Sequence, residues 1–548
     1  MDEATSPEAR HHHKDSWPHP LSKTTPTKKR MNLSIQQFAW AATFSLISFV
    51  ASDLRAQLET PAVDQSHRKP NIVYILADDL GYGDVQCLNP ERGKITTPRI
   101  DSLAAEGISF TDAHAGSSVC TPTRYGILTG RYCWRTHLQR SVLFGADQPL
   151  IPTSRMTVAS FLKQHDYRTA CIGKWHLGLG LKNKDGARSK GLKADRLDWD
   201  QQIKDGPTEL GFDYYHGIAA SLDIPPHIYI QNDRFVGAAT AIGTKEFHPR
   251  RRGPAHPDFK AVDVLDEIGR QSVQYIQQQG ADEPFFMYIP LTSPHSPIAP
   301  SKQWQGKSKL GAYADFVMHT DAVIGRIIAA IDKAGVKENT LVIVTSDNGC
   351  WAKMAKAEEL EAAGHYPSAQ FRGYKTDLWD GGHRVPFIVR WPPVIEAGST
   401  NKQTICLTDL LATCAEIVGG KLPDDAGEDS VSFLPALKQQ PIESTRAGVI
   451  HHSIQGEFAY RMGKWKLLLT GSSGGWTKQK LPENTLAQLY DMEADSGEQN
   501  NLYDSYPDVA AKLLAQLESD VKRGRSTAGT DQENDFHNIR IWKDKQPK

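Results

Sequence analysis

The sequence lacks an excess of either charge, because its 63 lysines and arginines nearly balance its 64 aspartates and glutamates. Without a long-range field of one sign, the chain is not expected to bind nucleic acid or an anionic membrane surface. Internal repeats are absent as well. At 548 residues the chain is too long for one small core, and it fits two domains or one large domain with an appendage.

Long apolar runs are also scarce, and the one that stands out lies near the N-terminus. Residues 1–30 are polar and aperiodic, and we expect them to be disordered. A basic segment and the run FAWAATFSLISFVAS follow, which is the layout of a secretory signal peptide at residues 31–56. The run is short for a membrane span, so we expect export to the periplasm or the medium, with no stable membrane insertion after cleavage. A retained anchor is the alternative, and Met31 is an alternative start to Met1.

Cysteine is rare, and its seven positions are an odd number. In an exported protein an odd count leaves at least one thiol unpaired. The spacing of the cysteines does not determine which of them would form disulfides.

Four apolar, β-rich runs alternate with helical patterns, namely NIVYILADD, YRTACIGKWH, PFFMYIPLTSPH and TLVIVTSDNG. Such alternation is typical of an α/β fold with a large, mostly parallel sheet covered by helices on both faces. Ligands bind beyond the carboxyl ends of the strands in such sheets, so we expect one shared site there. The residues just past the four strand ends are Asp78, Asp79, Lys174, Trp175, His176, His295, Asp347 and Asn348.

The pattern changes after about residue 440. We assign the main domain to residues 69–440, and the segments GVIHHS, FAYRMGKWKLLLTG and AQLYDMEAD that follow are typical of short antiparallel strands. The segment YPDVAAKLLAQLESDVKRG has the pattern of an amphipathic helix. Together they predict a smaller C-terminal α+β subdomain at residues 441–525, followed by a polar tail at 526–548 that we expect to fray.

One cysteine lies in an unusual context, the stretch SSVCTPTRYGILTGRY. Thr121 is predicted to cap a helix whose first residue is Pro122 and which stops at Gly130. Cys120 would then lie at a helix N-terminus, where free N–H groups and the dipole favour an anion. Arg124 falls in the first turn, and its guanidinium matches a tetrahedral oxyanion. A structural or disulfide-bonded cysteine is the alternative.

Two strand ends carry oxygen donors. Asp78 and Asp79 follow the first strand, and Asp347 and Asn348 follow the last. Such donors suit Ca²⁺ or Mg²⁺ rather than zinc, which would draw on histidine and cysteine. Taken separately, the aspartate pair also fits a helix cap and SDNG also fits a turn.

The pattern Cys-x-Pro-x-Arg with a trailing LTGR, at Cys120–Arg131, is similar to the signature of type I sulfatases, which have the alkaline-phosphatase-like fold. NIVYILADDLGYGD, GKWHLG, TSPH, SDNG and FRGYKTDLWDGGHRVP resemble further blocks of that family, in family order, over roughly residues 69–504. The resemblance implies that a separate formylglycine-generating enzyme oxidises Cys120 to formylglycine, which is the nucleophile after hydration. It also implies one Ca²⁺, held by Asp78, Asp79, Cys120, Asp347 and Asn348.

The resemblance also implies roles for the remaining polar residues. Lys174 would contact the sulfate, and His176, beside it if the segment is extended, would assist the formylglycine chemistry. His295 and Lys375 resemble sulfate-binding and leaving-group residues. In the implied S–O cleavage the hydrated aldehyde attacks sulfur, the alcohol leaves with a proton from His295 or Lys375, and His176 takes the proton that lets sulfate depart. Charge on the sulfuryl oxygens would be shared by the cation, Arg124, Lys174 and Lys375. His383, in GGHRVP, is interpreted as scaffold.

An insertion, Ser221–Arg234, lies between the blocks of Lys174 and His295. Asp223 and His227 flank a stiff Pro-Pro turn there and suit the hydroxyls of a sugar. The segment resembles one in a subset of carbohydrate sulfatases, some of which act on 6-sulfated hexosamines. A plain surface loop is the alternative.

These observations predict a sulfatase that acts on a sulfated carbohydrate, and two alternatives remain. A phosphoester hydrolase of the same superfamily usually carries serine or threonine as nucleophile and often two zinc ions, which Cys120 and the single-ion ligand set disfavour. A non-catalytic binder of sulfated glycans would be expected to have lost part of the catalytic set, and every member of that set is present.

Overall fold

The computed structural model describes residues 68–543, except 192–193, 244–246, 248–250, 281–282, 444 and 480. The predicted disordered segment at 1–30 and the predicted signal peptide at 31–56 lie outside the described residues. Among the helices of the described part of the chain, none has the length and apolarity needed to cross a bilayer.

The strands of the described residues follow one another from the first predicted run to the C-terminal region. They are β1 (Asn71–Asp78), β2 (Ile108–Phe110), β3 (Ala113–His114), β4 (Arg168–Lys174), β5 (Tyr214–Ile218), β6 (Tyr229–Gln231), β7 (Arg234–Phe235), β8 (Ala241–Ile242), β9 (Pro254–Ala255), β10 (Phe285–Pro294), β11 (Thr340–Ser346), β12 (Phe387–Arg390), β13 (Ser399–Asn401), β14 (Ile405–Cys406), β15 (Val449–His452), β16 (Phe458–Met462), β17 (Trp465–Leu468) and β18 (Gln488–Asp491). The four runs singled out in the sequence become β1, β4, β10 and β11.

The α-helices alternate with these strands in the first part of the chain. They are α1 (Pro98–Ala105), α2 (Cys120–Thr129), α3 (Val158–Lys163), α4 (Ala261–Gln278), α5 (Ala312–Lys333), α6 (Ala352–Ala355), α7 (Ala357–Ala362), α8 (Asp380–His383), α9 (Leu410–Ile417), α10 (Leu434–Leu437) and α11 (Pro507–Lys522).

A ten-stranded sheet organises the molecule, in the order β13-β2-β12-β11-β1-β10-β4-β5-β6-β7. Its centre is parallel, because β1 pairs in parallel with both β10 and β11, and β4 pairs in parallel with β10 and β5. The pairs β11–β12 and β5–β6 are antiparallel. The predicted α/β fold class with a mostly parallel sheet is confirmed.

Helices cover both faces of this sheet. Alternate side chains of β1 belong to two separate apolar cores, since Ile72 and Tyr74 lie in one and Val73 and Ile75 in the other. Helices α2, α3 and α9 contribute to the first core, and α4 and α5 to the second. A strand buried on both faces must be apolar at every position, which is why these runs do not alternate with polar residues.

A smaller antiparallel sheet, β15-β16-β17-β18, follows in the C-terminal part, as predicted. Helix α11 packs on it through Leu513 and Leu517, which share a core with Tyr460 of β16 and with Trp134 from the first part of the chain. The exact division at residue 440 stays a prediction.

The expectation that the polar tail frays does not hold around residues 534 and 535. Asp535 pairs with the buried guanidinium of Arg131 at 3.1 Å, and the Asn534 side-chain oxygen accepts from Arg135 at 2.9 Å. Two polar side chains of the tail are thus held by buried arginines, which the composition of the tail does not reveal.

Candidate active site

The parallel strand ends bring the predicted site residues together. Ala77 of β1 is in register with Ser346 of β11, so the residues that follow the two strands leave the sheet at the same level. Ligand atoms of Asp78, Cys120 and Asp347 all lie within 4.8 Å of one another, as do those of Asp78, Asp79 and His295. All of these side chains are buried. One shared site therefore forms where the topology predicted it.

Three carboxylates and three cations interlock at this site. Lys174 Nζ lies 2.7 Å from Asp78 Oδ2, and Lys375 Nζ lies 2.5 Å from Asp79 Oδ1. Arg124 donates from Nε and Nη2 to Asp347 Oδ2 at 3.0 and 2.7 Å, with Asp78 Oδ1 3.6 Å from the same Nη2. Their formal charges cancel when all three carboxyl groups are ionised.

The two central carboxyls respond differently to burial. Burial alone would raise the pKa of Asp78, but Lys174, His295 and Arg124 hold it well below its usual value. Burial and the nearby Asp78 raise the pKa of Asp347 to about 7, against the opposing effect of Arg124. Asp347 therefore has less positive charge around it than a buried carboxylate needs.

Three buried oxygens at the site have no hydrogen-bond partner among the described residues. They are Asp78 Oδ1, Asp79 Oδ2 and Asn348 Oδ1. Asn348 is held by its amide nitrogen, which donates to Asp79 Oδ1 at 2.8 Å, so its oxygen is left for another partner. Unsatisfied buried oxygens are costly unless something binds them, and hard oxygen donors are the ligands that Ca²⁺ and Mg²⁺ prefer. The residues present fit a divalent cation of this class.

Cys120 begins helix α2, and the predicted cap was wrong. The N-cap residue is Val119, which makes no side-chain cap, and the hydroxyl of Thr121 instead donates to the carbonyl of His176 at 3.1 Å. The helix does end at Gly130, in the left-handed conformation with φ 65°. Cys120 thus occupies the first turn, where backbone N–H groups are unpaired.

The thiol of Cys120 is buried and unbridged. Burial raises its pKa, while Lys174 and Lys375 act in the opposite direction. All seven cysteines are free thiols. The odd number of cysteines required at least one unpaired thiol, and the structure has seven.

Lys174 and His176 both reach the site, but not through an extended segment. Strand β4 ends at Lys174, and His176 has a φ of 58°, which turns the chain after the strand. His176 Nε2 donates to the carbonyl of Leu143 at 2.8 Å, and its Nδ1 is buried without a partner. Burial, together with Lys174 and Arg124, holds the pKa of His176 well below its usual value. The ring is therefore neutral, with a lone pair on Nδ1 that can accept a proton.

His295 and Lys375 both lie next to Asp79. Burial and Lys375 lower the pKa of His295, and its Nε2 is 3.7 Å from Asp79 Oδ2. Burial alone would lower the pKa of Lys375, but Asp79 raises it, so the ammonium stays charged. The sequence analysis missed Ser221, whose hydroxyl lies 3.1 Å from His295 Nδ1 and 3.3 Å from Lys174 Nζ. Its only sequence mark is its position at the start of the Ser221–Arg234 insertion.

The two residues predicted to bind sugar are buried within that insertion. Asp223 Oδ2 accepts from Arg251 at 2.5 Å. The ring of His227 stacks on Phe247 at 4.0 Å, and burial lowers its pKa to about 4 against the influence of Asp223. Among the described hydrogen bonds, none joins Asp223 or His227 to the strand-end cluster. Their role in substrate binding stays a prediction.

His383 lies in a separate buried cluster with His114 and His451. Ligand nitrogens of the three rings are within 4.8 Å of one another, but the rings of His383 and His451 stack nearly in parallel with centroids 3.8 Å apart. The in-plane lone pairs of parallel rings run side by side and do not converge on one ion. Lys466 Nζ also contacts His383 at 3.1 Å, so the cluster ties α8 to β17, in keeping with the scaffold interpretation.

The sequence was compared with protein-family models and with characterised proteins, and both comparisons find sulfatases. The sequence model of the sulfatase family matches residues 70–420. The N-acetylgalactosamine-6-O-sulfatase of Bacteroides thetaiotaomicron is 32% identical over 498 residues, covering 83% of this chain and 94% of that protein. Human arylsulfatase A is 30% identical over 478 residues, covering 82% of this chain and 86% of that protein.

Solved structures show the same fold. A Bacteroides thetaiotaomicron structure, labelled 6S-sulf in a study of glycosaminoglycan metabolism, superposes with a TM-score of 0.72 at 31% identity, covering 82% of this chain and 99% of that one. A phosphonate monoester hydrolase of Agrobacterium radiobacter superposes with a TM-score of 0.52 at 17% identity, covering 82% and 95%, which shows the fold alone.

Proposed function

Since this chain belongs to the sulfatase family and is a sulfuric ester hydrolase, we propose that it removes sulfate from a sulfated carbohydrate, using formylglycine made from Cys120 and one bound Ca²⁺. The first substrates to test are 6-sulfated hexosamines, because the N-acetylgalactosamine-6-O-sulfatase is 32% identical over most of both chains. We also propose export to the periplasm or the medium, on the layout of residues 31–56.

One observation carries the proposal. Asp78 Oδ1, Asp79 Oδ2 and Asn348 Oδ1 accept no hydrogen bond from the described residues, and they are buried in the cluster that also contains Cys120 and Asp347. Residue 120 and a cation in that cluster would meet the same sulfate group. A structural cysteine would have no need of three unsatisfied oxygens beside it.

Charge supports an anionic substrate. The three carboxylates and three cationic side chains of the cluster cancel, so a bound divalent ion would leave a surplus of two positive charges. A sulfate monoester carries one negative charge, and a deprotonated nucleophile would supply the second. The surplus therefore matches the reacting pair, which is the condition for electrostatic stabilisation in a dry site.

Asp78, Asp79, Asp347, Asn348 and residue 120 would hold the cation, which supplies Lewis-acid polarisation of a sulfate oxygen when bound. Formylglycine, when formed and hydrated, supplies a hydroxyl nucleophile at residue 120. We infer that the segment from Cys120 to Arg124 is what a formylglycine-generating maturation enzyme would recognise.

Side chains of the cluster stabilise the charge on the sulfate group and transfer the protons. Arg124 fixes Asp347 through two hydrogen bonds, and Lys174 and Lys375 present ammonium groups to the sulfuryl oxygens. Neutral His176 accepts a proton at Nδ1 from the group at residue 120. The leaving alcohol takes its proton from His295 or Lys375, which both lie beside Asp79.

The test is sulfate release from a panel of defined sulfated saccharides and the matching phosphate esters. Parent enzyme, coexpressed with a maturation enzyme, should release sulfate from a sulfated hexosamine, and the Cys120→Ala variant should not. Mass spectrometry of the peptide containing residue 120 reports its conversion separately. Activity that survives in Cys120→Ala would refute the mechanism, faster phosphate release would favour the phosphoester hydrolase, and tight binding without turnover by fully converted protein would favour the glycan binder.

A further inference from the structure

A large cleft opens directly beside the leaving-group side of the cluster. It has a volume of about 840 Å³, and its lining includes Lys375, Trp351 and Trp476. This volume lies within the range of ligand sites and exceeds what one sulfate group needs. Lys375 therefore belongs to both the catalytic cluster, where it pairs with Asp79, and the wall of the cleft.

The indoles form an aromatic surface that starts at the catalytic residues. Lys375 Nζ lies 5.5 Å from the centroid of the Trp351 ring, and the His295 ring lies 6.2 Å from it. The ring of Trp476 follows at 5.5 Å from that of Trp351, inclined by 47°. Trp351 is half-buried, whereas 49% of Trp476 is exposed.

Trp476 is held rigidly although it is exposed. It lies in the connection between β17 and β18 of the small sheet, and its backbone N–H donates to the hydroxyl of Thr376, the neighbour of Lys375, at 3.0 Å. The hydroxyl of Thr477 donates to Asp377 at 2.5 Å. A Cβ at Gly475 would collide with the carbonyl oxygen of Thr376, so only glycine lets the two segments approach this closely. An exposed indole on a restrained backbone, in contact with the ring of Trp351, presents a surface to a ligand at a lower entropic cost than one on a free loop.

The rim of the cleft is positive. Lys353 and Lys478 line it, and among the described residues neither has an ion-pair partner. Lys356 pairs with Glu359 at 2.9 Å, which leaves Glu358 as the remaining acid on the lining. Lysines without an ion-pair partner on the same lining as two indoles suit a ligand that is anionic at its edges and apolar on its faces.

We propose that this cleft binds the sugar ring next to the sulfated unit in an anionic saccharide chain, with the ring stacked on Trp476 and Trp351 and its acidic groups facing Lys353 and Lys478. This rests on the proposed function, because it makes the sulfated unit one residue of a chain. A pyranose ring has an apolar face of C–H groups that an indole covers well. The enzyme would therefore prefer a sulfated oligosaccharide over the sulfated monosaccharide.

The experiment compares two substrates, N-acetylgalactosamine 6-sulfate and a tetrasaccharide of chondroitin 6-sulfate, by kcat/KM. We expect Trp476→Ala to lower the ratio of tetrasaccharide to monosaccharide kcat/KM by about 30-fold, the size typical of a lost aromatic anchor. Trp476→Phe should recover most of that loss. The control Tyr506→Ala removes another exposed aromatic, which packs on Trp465, and should leave the ratio unchanged. An unchanged ratio in Trp476→Ala would refute the proposal.

A binding measurement separates this proposal from the reaction. In Cys120→Ala, which needs no maturation, the tetrasaccharide should quench tryptophan fluorescence, and Trp476→Ala in that background should weaken binding by about 30-fold. Lys353→Gln with Lys478→Gln should weaken binding at low salt and much less at high salt. If binding depends on Trp476 but the mature parent enzyme releases no sulfate, the proposed function is refuted and the proposed saccharide site is supported. If the monosaccharide releases sulfate but binding does not depend on Trp476, the proposed function is supported and the saccharide site is refuted. If neither result is obtained, both proposals are refuted.

Discussion

Arg124 directs two of its nitrogens to a single oxygen of Asp347, at 3.0 and 2.7 Å, with both side chains fully buried. Asp347 still has its pKa raised to about 7 by burial and by Asp78. The ion pair thus compensates the negative charge of Asp347 only in part. A cation bound near Asp78 and Asp79 would compensate the rest.

Removing Arg124 should destabilise the protein most when no cation is available. Arg124→Met leaves Asp347 buried and unpaired, so we expect the free energy of unfolding in EDTA to fall by about 3–5 kcal/mol. Urea denaturation measures it. The exposed pair Arg270–Glu267 provides the control, since Arg270→Met should cost less than about 1 kcal/mol. Equal losses in the two variants would contradict the account of the cluster.

Ca²⁺ should stabilise the protein through the unpaired oxygens. At one hundred times its dissociation constant the ion should add about 2.7 kcal/mol to the free energy of unfolding, seen as a rise in Tm over the EDTA-treated protein. Asn348→Ala removes one ligand oxygen and should abolish most of this rise. Asn71→Ala, which loses a buried amide bonded to Thr340, should lower the Tm while leaving the Ca²⁺-dependent rise intact. A rise that survives in Asn348→Ala would argue against the ligand set.

His452 should make the protein sensitive to acid. Burial, with a contribution from Lys543, lowers its pKa to about 3, whereas an unfolded histidine titrates near pH 6.5. Between these values the unfolded chain binds the extra proton, so stability is lost as the pH falls below about 6.5, by about 2 kcal/mol at pH 5 for this residue alone.

The His452→Gln variant tests this dependence. Its loss of unfolding free energy between pH 7 and pH 5 should be smaller than the parent's by about 2 kcal/mol. His137→Gln, at an exposed position, should follow the parent curve. A His452→Gln curve parallel to the parent's would show that this imidazole is not buried and neutral.

The C-terminal tail should contribute to stability. Asp535→Ala removes a carboxylate from Arg131, whose side chain is fully buried, and we expect a loss of about 1–2 kcal/mol, since Glu428 at 3.2 Å still compensates the guanidinium in part. Asp531→Ala breaks the more exposed pair with Arg523 and should cost less than about 0.5 kcal/mol. Thermal unfolding of the two variants compares them directly.

The sequence predicts best the features that depend on burial and strand direction. The run NIVYILADD forms β1 at Asn71–Asp78, because a strand covered on both faces must be continuously apolar. Asp78 and Asp347 then fall together, since parallel strands present their carboxyl ends at one edge.

What the sequence does not predict depends on contacts between distant segments. The turn at His176 arises from packing after β4, although a regular extended segment would have placed it beside Lys174. Trp476 approaches Trp351 only because Gly475 lets the β17–β18 connection touch Thr376, and no periodicity encodes that approach. The tail around Asp535 is similar, because its order depends on two arginines whose burial is not visible in the composition.

Because Trp476 lies on a connection of the small sheet, substrate selection and catalysis depend on different parts of the chain. The residues that act on sulfate lie at the ends of the parallel strands, whereas the residue proposed to select the neighbouring sugar lies in the connection between β17 and β18. Grafting a different link between β17 and β18 should therefore redirect the enzyme to another polysaccharide without rebuilding its catalytic core.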